Sequence, residues 1–152
     1  YLKYYSKYKF KKLQYIILRY SNVYGPKQSD LGEVGVVRKF IQDIKKKKVI
    51  TKHGSGLQSR DFIHVNDVVE ATIKSIKIKQ NTVLNICSGK NTTVNKIINI
   101  FKKFYKKNFK IKKKTFHAGE YFYFKASNAL AKKKMNWSPK VNIQKGIKLT
   151  IN

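Results

Sequence analysis

Short apolar runs alternate with segments of helical periodicity along most of this chain. The apolar runs are rich in β-branched side chains, which favours strands, and between them apolar residues recur at i, i+3, i+4 and i+7, which favours helices packed through one face. Strands are predicted over residues 14–20, 49–53, 61–65 and 82–87, and helices over residues 35–47, 67–77 and 94–105. Because the two kinds of element alternate, the pattern predicts an α/β fold with a partly parallel sheet.

Turn and cap residues separate these elements. Residues 21–26, Ser-Asn-Val-Tyr-Gly-Pro, predict a loop. Short strands are predicted over residues 109–111 and 115–116, and helices over residues 127–134 and 143–151. The side chains placed to cap helices are Asn66 or Asp67, Thr92 or Thr93, Ser127 and Asn142.

Length and composition indicate one folded domain. The 152 residues are 41% hydrophobic and 13% aromatic, which is enough to bury a core. No apolar run approaches the roughly 18 residues that a membrane-spanning helix needs, so we expect no membrane partner. Cys87 is the one cysteine, which excludes an intrachain disulfide, and no Cys/His group has zinc spacing. We therefore expect a reducing, cytoplasmic setting.

The net charge of +28 has two interpretations. A basic nucleic-acid-binding module would carry such a charge. However, only Arg19, Arg38 and Arg60 are arginines, and the lysines are dispersed along the chain. Lys, Asn, Ile, Tyr and Phe are abundant together, as A/T-rich coding favours, and nucleic-acid readers prefer Arg for bidentate contacts. Coding bias is the interpretation we favour, and it still predicts non-specific, salt-dependent binding to polyanions.

Residues 54–70 form a long stretch that contains no lysine. They contain Arg60 and three of the seven acidic residues, Asp61, Asp67 and Glu70. A Gly-Ser-Gly turn, a short strand and a capped helix follow one another here, which places Arg60 beside a turn. From the residues alone, Arg60 is equally consistent with a ligand contact and with a solvated edge.

The residues by themselves offer binding groups and no reaction. The Gly-Ser-Gly turn lacks a third glycine and opens a strand, so neither a P-loop nor a dinucleotide-binding fingerprint is present. No nucleophile elbow or Ser/His/Asp order can be identified. The three histidines, His53, His64 and His117, are scattered, which favours structural or exposed roles over a catalytic one.

Five blocks in order resemble the extended short-chain dehydrogenase/reductases, the NAD-dependent nucleotide-sugar epimerases and dehydratases. Residues 18–26 resemble that family's L-R-Y-x-N-V-Y-G-P, and residues 54–71 resemble its G-x-G-x-Q-x-R-D-F-x-x-V-x-D-x-x-x-A. The order continues with residues 85–89 (N-I-G-x-G), 119–120 (R-P-G-D/E) and 136–139 (G-W-x-P). UDP-glucose 4-epimerases are the nearest type. The blocks depart from the pattern where His117 replaces an arginine, Ser127 an acid and Asn136 a glycine.

The resemblance implies a role for each matching position. Arg60 would pair with the substrate diphosphate, the segment from Thr51 to His53 would line the uracil, and the Val36-Val37 turn would pack on the nucleotide. The Ser21 backbone would lie near the nicotinamide. Without the family, Asn22 is as readily a turn former, and Glu120 is more readily a solvated loop residue. The implied substrate-binding positions are Asn22, Val36, Val37, Thr51, Lys52, His53, Arg60, His117 and Glu120.

The resemblance covers the C-terminal half of such an enzyme. Residues 1–26 would end its Rossmann-like sheet, and residues 27–152 would form mainly the small substrate-binding α/β subdomain. The family's G-x-x-G-x-x-G loop and Tyr-x-x-x-Lys pair precede the first block, so the cofactor-binding half is expected to be absent here. Tyr8 and Lys12 have the spacing of that pair, but they lie too close to Arg19 to match it.

The function implied is that of the nucleotide-sugar-binding part of an NAD-dependent 4-epimerase. In such enzymes, as the resemblance implies, NAD takes a hydride from sugar C4 and returns it to the other face. We expect this chain alone to bind a UDP-sugar without turning it over, and its parent to be a homodimer. A dehydratase or decarboxylase parent, a nucleic-acid-binding module and a non-functional gene fragment are the alternatives.

Overall fold

The computed structural model describes residues 1–10, 13–31, 34–115 and 121–151. A π-helical turn, Tyr5–Lys9, continues the first helix. The helices are α1 (Leu2–Tyr4), α2 (Val36–Lys45), α3 (Val65–Ser75), α4 (Val94–Tyr105), α5 (Ala129–Met135) and α6 (Ile143–Ile151). The strands are β1 (Ile16–Tyr20), β2 (Asn22–Tyr24), β3 (Ile50–His53), β4 (Ser59–His64), β5 (Thr82–Ile86), β6 (Asn91–Thr93) and β7 (Ile111–Lys114).

The longer periodic segments fold as their pattern predicts. The helices expected over residues 35–47, 67–77 and 94–105 are α2, α3 and α4, and the four predicted main strands are β1, β3, β4 and β5. In α2 the buried face is the predicted one and includes Val37, Phe40, Ile41 and Ile44. These predictions are confirmed because the apolar spacing that identifies each element is also what packs it.

The predicted loop over residues 21–26 was wrong in its first half, where Asn22–Tyr24 forms β2. This strand pairs with β4 in parallel, with Asn22 opposite Phe62 and Tyr24 opposite His64. A turn-rich sequence becomes a strand here because β4, distant in sequence, satisfies its backbone hydrogen bonds. Similarly, the strand expected over residues 109–111 is replaced by β7, which begins at Ile111 and pairs with β3. Of the strand expected over residues 115–116, Thr115 is not in a strand and residue 116 lies outside the described residues.

Two of the predicted helix caps were wrong. The residue that caps α3 is His64, whose Nδ1 accepts from the Asn66 backbone amide at 3.2 Å. The predicted caps, Asn66 and Asp67, lie within the helix. The cap residue of α5 is Asn128, and the Ser127 hydroxyl accepts from the Ala129 amide. The other predictions are confirmed, because Thr93 caps α4 and Asn142 accepts from the Lys145 amide at the start of α6.

The strands form three small sheets. β1 and β5 pair in parallel, β3 and β7 pair in parallel, and β4 lies between the parallel β2 and the antiparallel β6. Because successive side chains of a strand point to opposite faces, β4 contributes to two apolar clusters. Phe62 packs with α2, α4 and α6, whereas Ile63 packs with α3, β5 and α5. β4 is therefore the central strand of the fold.

The C-terminal segment is held against α3 by one buried carboxylate. Asp67 accepts from the Lys140 amide at 2.9 Å and from the Val141 amide at 3.0 Å, and its backbone carbonyl accepts from Trp137 Nε1 at 3.2 Å. Asp67 is thus a structural acid. The following helix, α6, then approaches Tyr24 so closely at Gly146 that a Cβ there would overlap the tyrosine hydroxyl.

Candidate functional site

A cavity of about 310 Å³ lies between the start of α2 and the strands β3 and β4. β3 lines it with Thr51, Lys52 and His53. Arg60 and Phe62 of β4, and Gln58 just before that strand, line it from alternate positions that share one face. The cavity contains all the described residues that the sequence marked as substrate-binding: Asn22, Val36, Val37, Thr51, Lys52, His53 and Arg60. Val36 and Val37 form the first turn of α2, within the helix that the sequence predicts over residues 35–47.

Of the other predicted positions, only Ser21 is described, and it is not among the residues that line this cavity. His117 and Glu120 lie outside the described residues. Ser21 follows β1, and its groups are already bonded: its amide donates to the Ile86 carbonyl at 3.1 Å and its hydroxyl to Asp61 Oδ1 at 3.1 Å. The seven residues in the cavity come from separate segments of the sequence. The pairing of β2 with β4 brings Asn22 next to the face of β4 that carries Arg60.

Arg60 presents an unneutralised charge to the cavity. Its Nη1 donates to the Ser59 carbonyl at 3.0 Å, and none of the ion pairs in the described parts of the chain includes it. The neighbouring acid, Asp61, points to the other face of β4 and is bonded elsewhere. A partly buried guanidinium with free donors can bind two oxygens of a phosphate group at once.

Lys52 is a second cation in the wall, and the Gly-Ser-Gly turn holds it in place. Lys52 Nζ donates to the Ser55 carbonyl at 2.9 Å and to Asn95 Oδ1 at 3.0 Å. Gly56 has a φ of +79°, and a Cβ there would overlap both Asn95 and the Lys52 stem. The two glycines therefore serve a tight turn that orients Lys52, and they do not cradle a ligand themselves.

Two glutamines in the cavity were missed by the sequence analysis. Gln28 and Gln58 both line it, and each has a buried side-chain oxygen with no hydrogen-bond partner in the described structure. A buried, unsatisfied carbonyl costs about 1–3 kcal/mol, so these two side chains are unusual features of the wall. The available signal was the glutamine of the G-x-G-x-Q-x-R-D-F block, which Gln58 matches.

Comparison with known proteins identifies this architecture. The family model described as the NAD dependent epimerase/dehydratase family matches residues 1–87. The chain belongs to the NAD-dependent epimerase/dehydratase family. It is 36% identical to a putative UDP-glucose 4-epimerase of Methanocaldococcus jannaschii, over 92% of this chain and 45% of that protein.

Solved members of the family share the fold. A Thermotoga maritima UDP-glucose 4-epimerase with UDP-glucose is 34% identical, superposes with a TM-score of 0.93, and is matched over 99% of this chain and 48% of that one. A Bacillus cereus UDP-glucuronic acid 4-epimerase with UDP-glucuronic acid and NAD is 26% identical and superposes with a TM-score of 0.88. That match covers 99% of this chain and 47% of the other. The chain thus spans less than half the length of these relatives, and its fold is that of the extended short-chain dehydrogenase/reductases.

NAD is the cofactor of this family, but the described residues do not fit a site for it on their own. The dinucleotide would need a glycine-rich loop at a helix N-terminus, and the 152 residues contain no such motif. Ser21, predicted to lie near the nicotinamide, has its hydroxyl and amide engaged within the protein. We therefore derive no hydride-transfer step from this chain.

The other chemistry-bearing side chains are structural. Burial, and then the nearby Asp61, raise the pKa of the Cys87 thiol to about 11, so it stays protonated and is a poor nucleophile at neutral pH. Among the described residues, no group of His, Cys, Asp and Glu is arranged to hold a metal ion. None of the helices in those residues has the length and hydropathy that crossing a membrane requires.

A larger hollow of about 710 Å³ lies between α4 and the segment that leads into α6. Four of its fifteen lining residues are lysines, Lys90, Lys96, Lys103 and Lys140. That proportion is close to the share of basic residues in the whole chain, and Lys140 is paired with Glu70. The hollow is therefore no more basic than the rest of this surface, and nothing about it indicates a specific ligand.

His64 should make the stability of this family member depend on pH. Its side chain is fully buried, and burial lowers its pKa, although Asp67 opposes that shift. The unfolded chain takes up the proton near pH 6.5, and the folded protein only at lower pH, so the free energy of unfolding should fall as pH drops below about 6.5. Urea unfolding at intervals between pH 7 and 5 measures this slope. His64→Asn should reduce it, and an unchanged slope would contradict the assignment.

Proposed function

We propose that this chain forms the nucleotide-sugar-binding part of an NAD-dependent sugar-nucleotide 4-epimerase, most like UDP-glucose 4-epimerase. The observation that carries this proposal is the single cavity that gathers Asn22, the first turn of α2, β3 and Arg60. A family relationship predicts these positions separately, and the fold places them around one volume. The related epimerases that contain UDP-sugars support the choice of ligand.

The cavity supplies the groups that a sugar diphosphate needs. Arg60 donates to the diphosphate as a planar fork, and Lys52 adds a second positive charge whose position is set by Ser55 and Asn95. The β3 segment from Thr51 to His53 flanks the base, and Asn22 donates or accepts at the sugar. Val36 and Val37 cover the nucleotide with apolar surface. His117 and Glu120 complete this site in our proposal.

The same proposal assigns no catalytic residue to this chain. The parent's Tyr-x-x-x-Lys pair and its cofactor loop would lie in sequence outside these 152 residues, so the chain alone binds substrate and does not turn it over. We place β1 and β5, which form a parallel pair apart from the cavity, at the end of the parent's Rossmann-like sheet. Residues 27–152 then carry mainly the substrate part. A cytoplasmic homodimer remains our prediction for the parent.

Parallel titrations with UDP-glucose and with duplex DNA test this function against the basic-module alternative. Isothermal calorimetry at several salt concentrations should show saturable one-to-one binding of UDP-glucose with a shallow salt dependence. DNA binding should weaken by about 10³-fold or more between about 50 and 200 mM salt, as non-specific phosphate contacts do. DNA affinity that survives the higher salt, together with no heat from UDP-glucose, would contradict the proposal.

A further inference from the structure

A third hollow, of about 440 Å³, lies where the parallel strands β1 and β5 end. Its lining residues are Arg19, Tyr20, Ser21, Asn85 and residues 124–127. Arg19 is paired in register with Asn85, one residue before each strand ends, so both strands end at this hollow. Open α/β sheets bind ligands in the crevice outside the carboxyl ends of their parallel strands. The third hollow is therefore in a favourable place for a ligand.

The third hollow adjoins the cavity that the proposed function assigns to the nucleotide sugar. Ser21 lines the hollow, and Asn22, the next residue, lines the cavity. Phe124 also lines the hollow, and its amide donates at 3.3 Å to the carbonyl of Ser59, the residue before Arg60. The two volumes thus meet both at the start of β2 and along β4. A sugar bound at Asn22 lies beside the third hollow.

Among the described residues, the wall of the third hollow has two positive charges and no negative one. Arg19 and Lys125 are its charged lining residues, and both are exposed. In the described parts of the chain, neither side chain takes part in an ion pair or a hydrogen bond. Asp61 binds the Ser21 hydroxyl, but it is completely buried and does not line the hollow. The two cations therefore face a ligand without an internal counter-charge.

Ser127 distinguishes the third hollow from the rest of the basic surface. It lines the hollow at the position where the family pattern has an acid. Here its carbonyl accepts from Asn85 Nδ2 at 3.3 Å, and its hydroxyl accepts from the Ala129 amide at 3.3 Å. The serine thus removes a carboxylate from the wall that holds Arg19 and Lys125. A carboxylate on the ligand would restore that negative charge, and a guanidinium can bind both of its oxygens.

We propose that the third hollow binds the carboxylate of a uronic acid, so that the preferred ligand of this chain is a UDP-hexuronate. This inference rests on the proposed function, because that function places the sugar at Asn22, beside the hollow. It names the class of sugar, which the contacts at Arg60 and Asn22 do not, since a diphosphate and hydroxyl groups are common to neutral and acidic sugars. A neutral hexose binds through the cavity alone and leaves both cations of the hollow without a partner.

The test compares UDP-glucuronate with UDP-glucose, which differ only in the carboxylate at C6 of the sugar. In calorimetric titrations at about 0.15 M salt, the unmodified protein should bind UDP-glucuronate about 10- to 100-fold more tightly, as charge-assisted hydrogen bonds predict. The double variant Arg19→Gln/Lys125→Gln should reduce this preference to less than about threefold. Its affinity for UDP-glucose should stay unchanged, because the neutral sugar does not use these side chains.

A matched control separates the third hollow from the net charge of +28, which attracts the more negative ligand without specificity. The double variant Lys90→Gln/Lys96→Gln removes two charges at exposed lysines of the larger hollow. It should preserve the preference for UDP-glucuronate. If both double variants reduce the preference equally, the preference comes from the net charge, and the role of the third hollow is overturned.

The outcomes separate the two proposals. Equal affinity of the unmodified protein for UDP-glucuronate and UDP-glucose overturns the uronate proposal and leaves the nucleotide-sugar site intact. A preference that persists in a folded Arg19→Gln/Lys125→Gln variant, as judged by its thermal melt, also overturns it. That variant should fold, because both side chains are exposed. If neither ligand binds, the proposed function fails, and the uronate proposal fails with it.

Discussion

Asp61→Ala is expected to lower the free energy of unfolding by about 3–5 kcal/mol, the largest loss we predict for a single substitution. The Asp61 side chain is completely buried. Its Oδ1 accepts from the Ser21 hydroxyl at 3.1 Å, and from the Ser88 amide and hydroxyl at 2.8 Å each, and its Oδ2 accepts from the Gly89 amide at 2.8 Å. Alanine would remove the acceptor that these four donors share; among the described residues, only the Ser88 hydroxyl has a second one, the Lys90 carbonyl at 3.3 Å.

The reason for so large an effect is the position of Asp61 in the fold. It lies on β4 and bonds to residues that directly follow β1 and β5, so it connects the central strand to a separate sheet. Chemical denaturation followed by circular dichroism measures the change. Asp61→Asn keeps an acceptor and loses the charge, so its free energy of unfolding should lie between those of the unmodified protein and Asp61→Ala. Asp30→Ala, at an exposed acid, should change the free energy of unfolding little. A loss below about 1 kcal/mol for Asp61→Ala would contradict this role.

Arg60→Ala is expected to weaken UDP-glucose binding by about 1.5–3 kcal/mol, which corresponds to about 10- to 150-fold in Kd. Arg60, like Lys52, is a cavity cation with no acidic partner among the described residues, so a diphosphate supplies the negative charge that the protein does not. Removing the guanidinium removes charge-assisted hydrogen bonds without breaking an internal ion pair. Calorimetric titration of both proteins under one buffer gives the ratio.

Two further substitutions make the Arg60 result specific. Arg38→Ala is the matched control, because Arg38 lies on α2 outside the cavity wall and is paired with Asp30 at 2.7 Å. It should leave the affinity for UDP-glucose unchanged. Arg60→Lys should recover only part of the loss, since an ammonium cannot match two phosphate oxygens as a planar fork does. If Arg60→Ala binds as tightly as the unmodified protein, Arg60 is a solvated edge.

The elements that the sequence predicted well are those whose own residues determine them. α2, α3 and α4 follow from apolar spacing, and Thr93 and Asn142 cap the helices that begin beside them. In each case the pattern and its partner lie within a few residues, so local rules apply.

The remaining features depend on partners that are far away in the sequence. β2 exists because β4 pairs with it, and His64 caps α3 through a ring nitrogen that cap preferences do not anticipate. Asp61 and Asp67 stood out as scarce acids, but only the fold shows that both bind backbone amides. Gln58 illustrates the same point for the site, because only the fold shows that its Nε2 donates to the His53 carbonyl while its oxygen has no partner among the described residues.

The most direct measurement of the central claim is an NMR titration of the ¹⁵N-labelled chain with UDP-glucose. If the cavity is a nucleotide-sugar site, the amide signals of Asn22, Val36, Thr51 and Arg60 should shift together and saturate at one equivalent. The signals of Lys90, Lys96 and Lys103, around the other hollow, should stay in place. Shifts confined to those lysines, or the absence of any saturable shift in the cavity, would contradict the account.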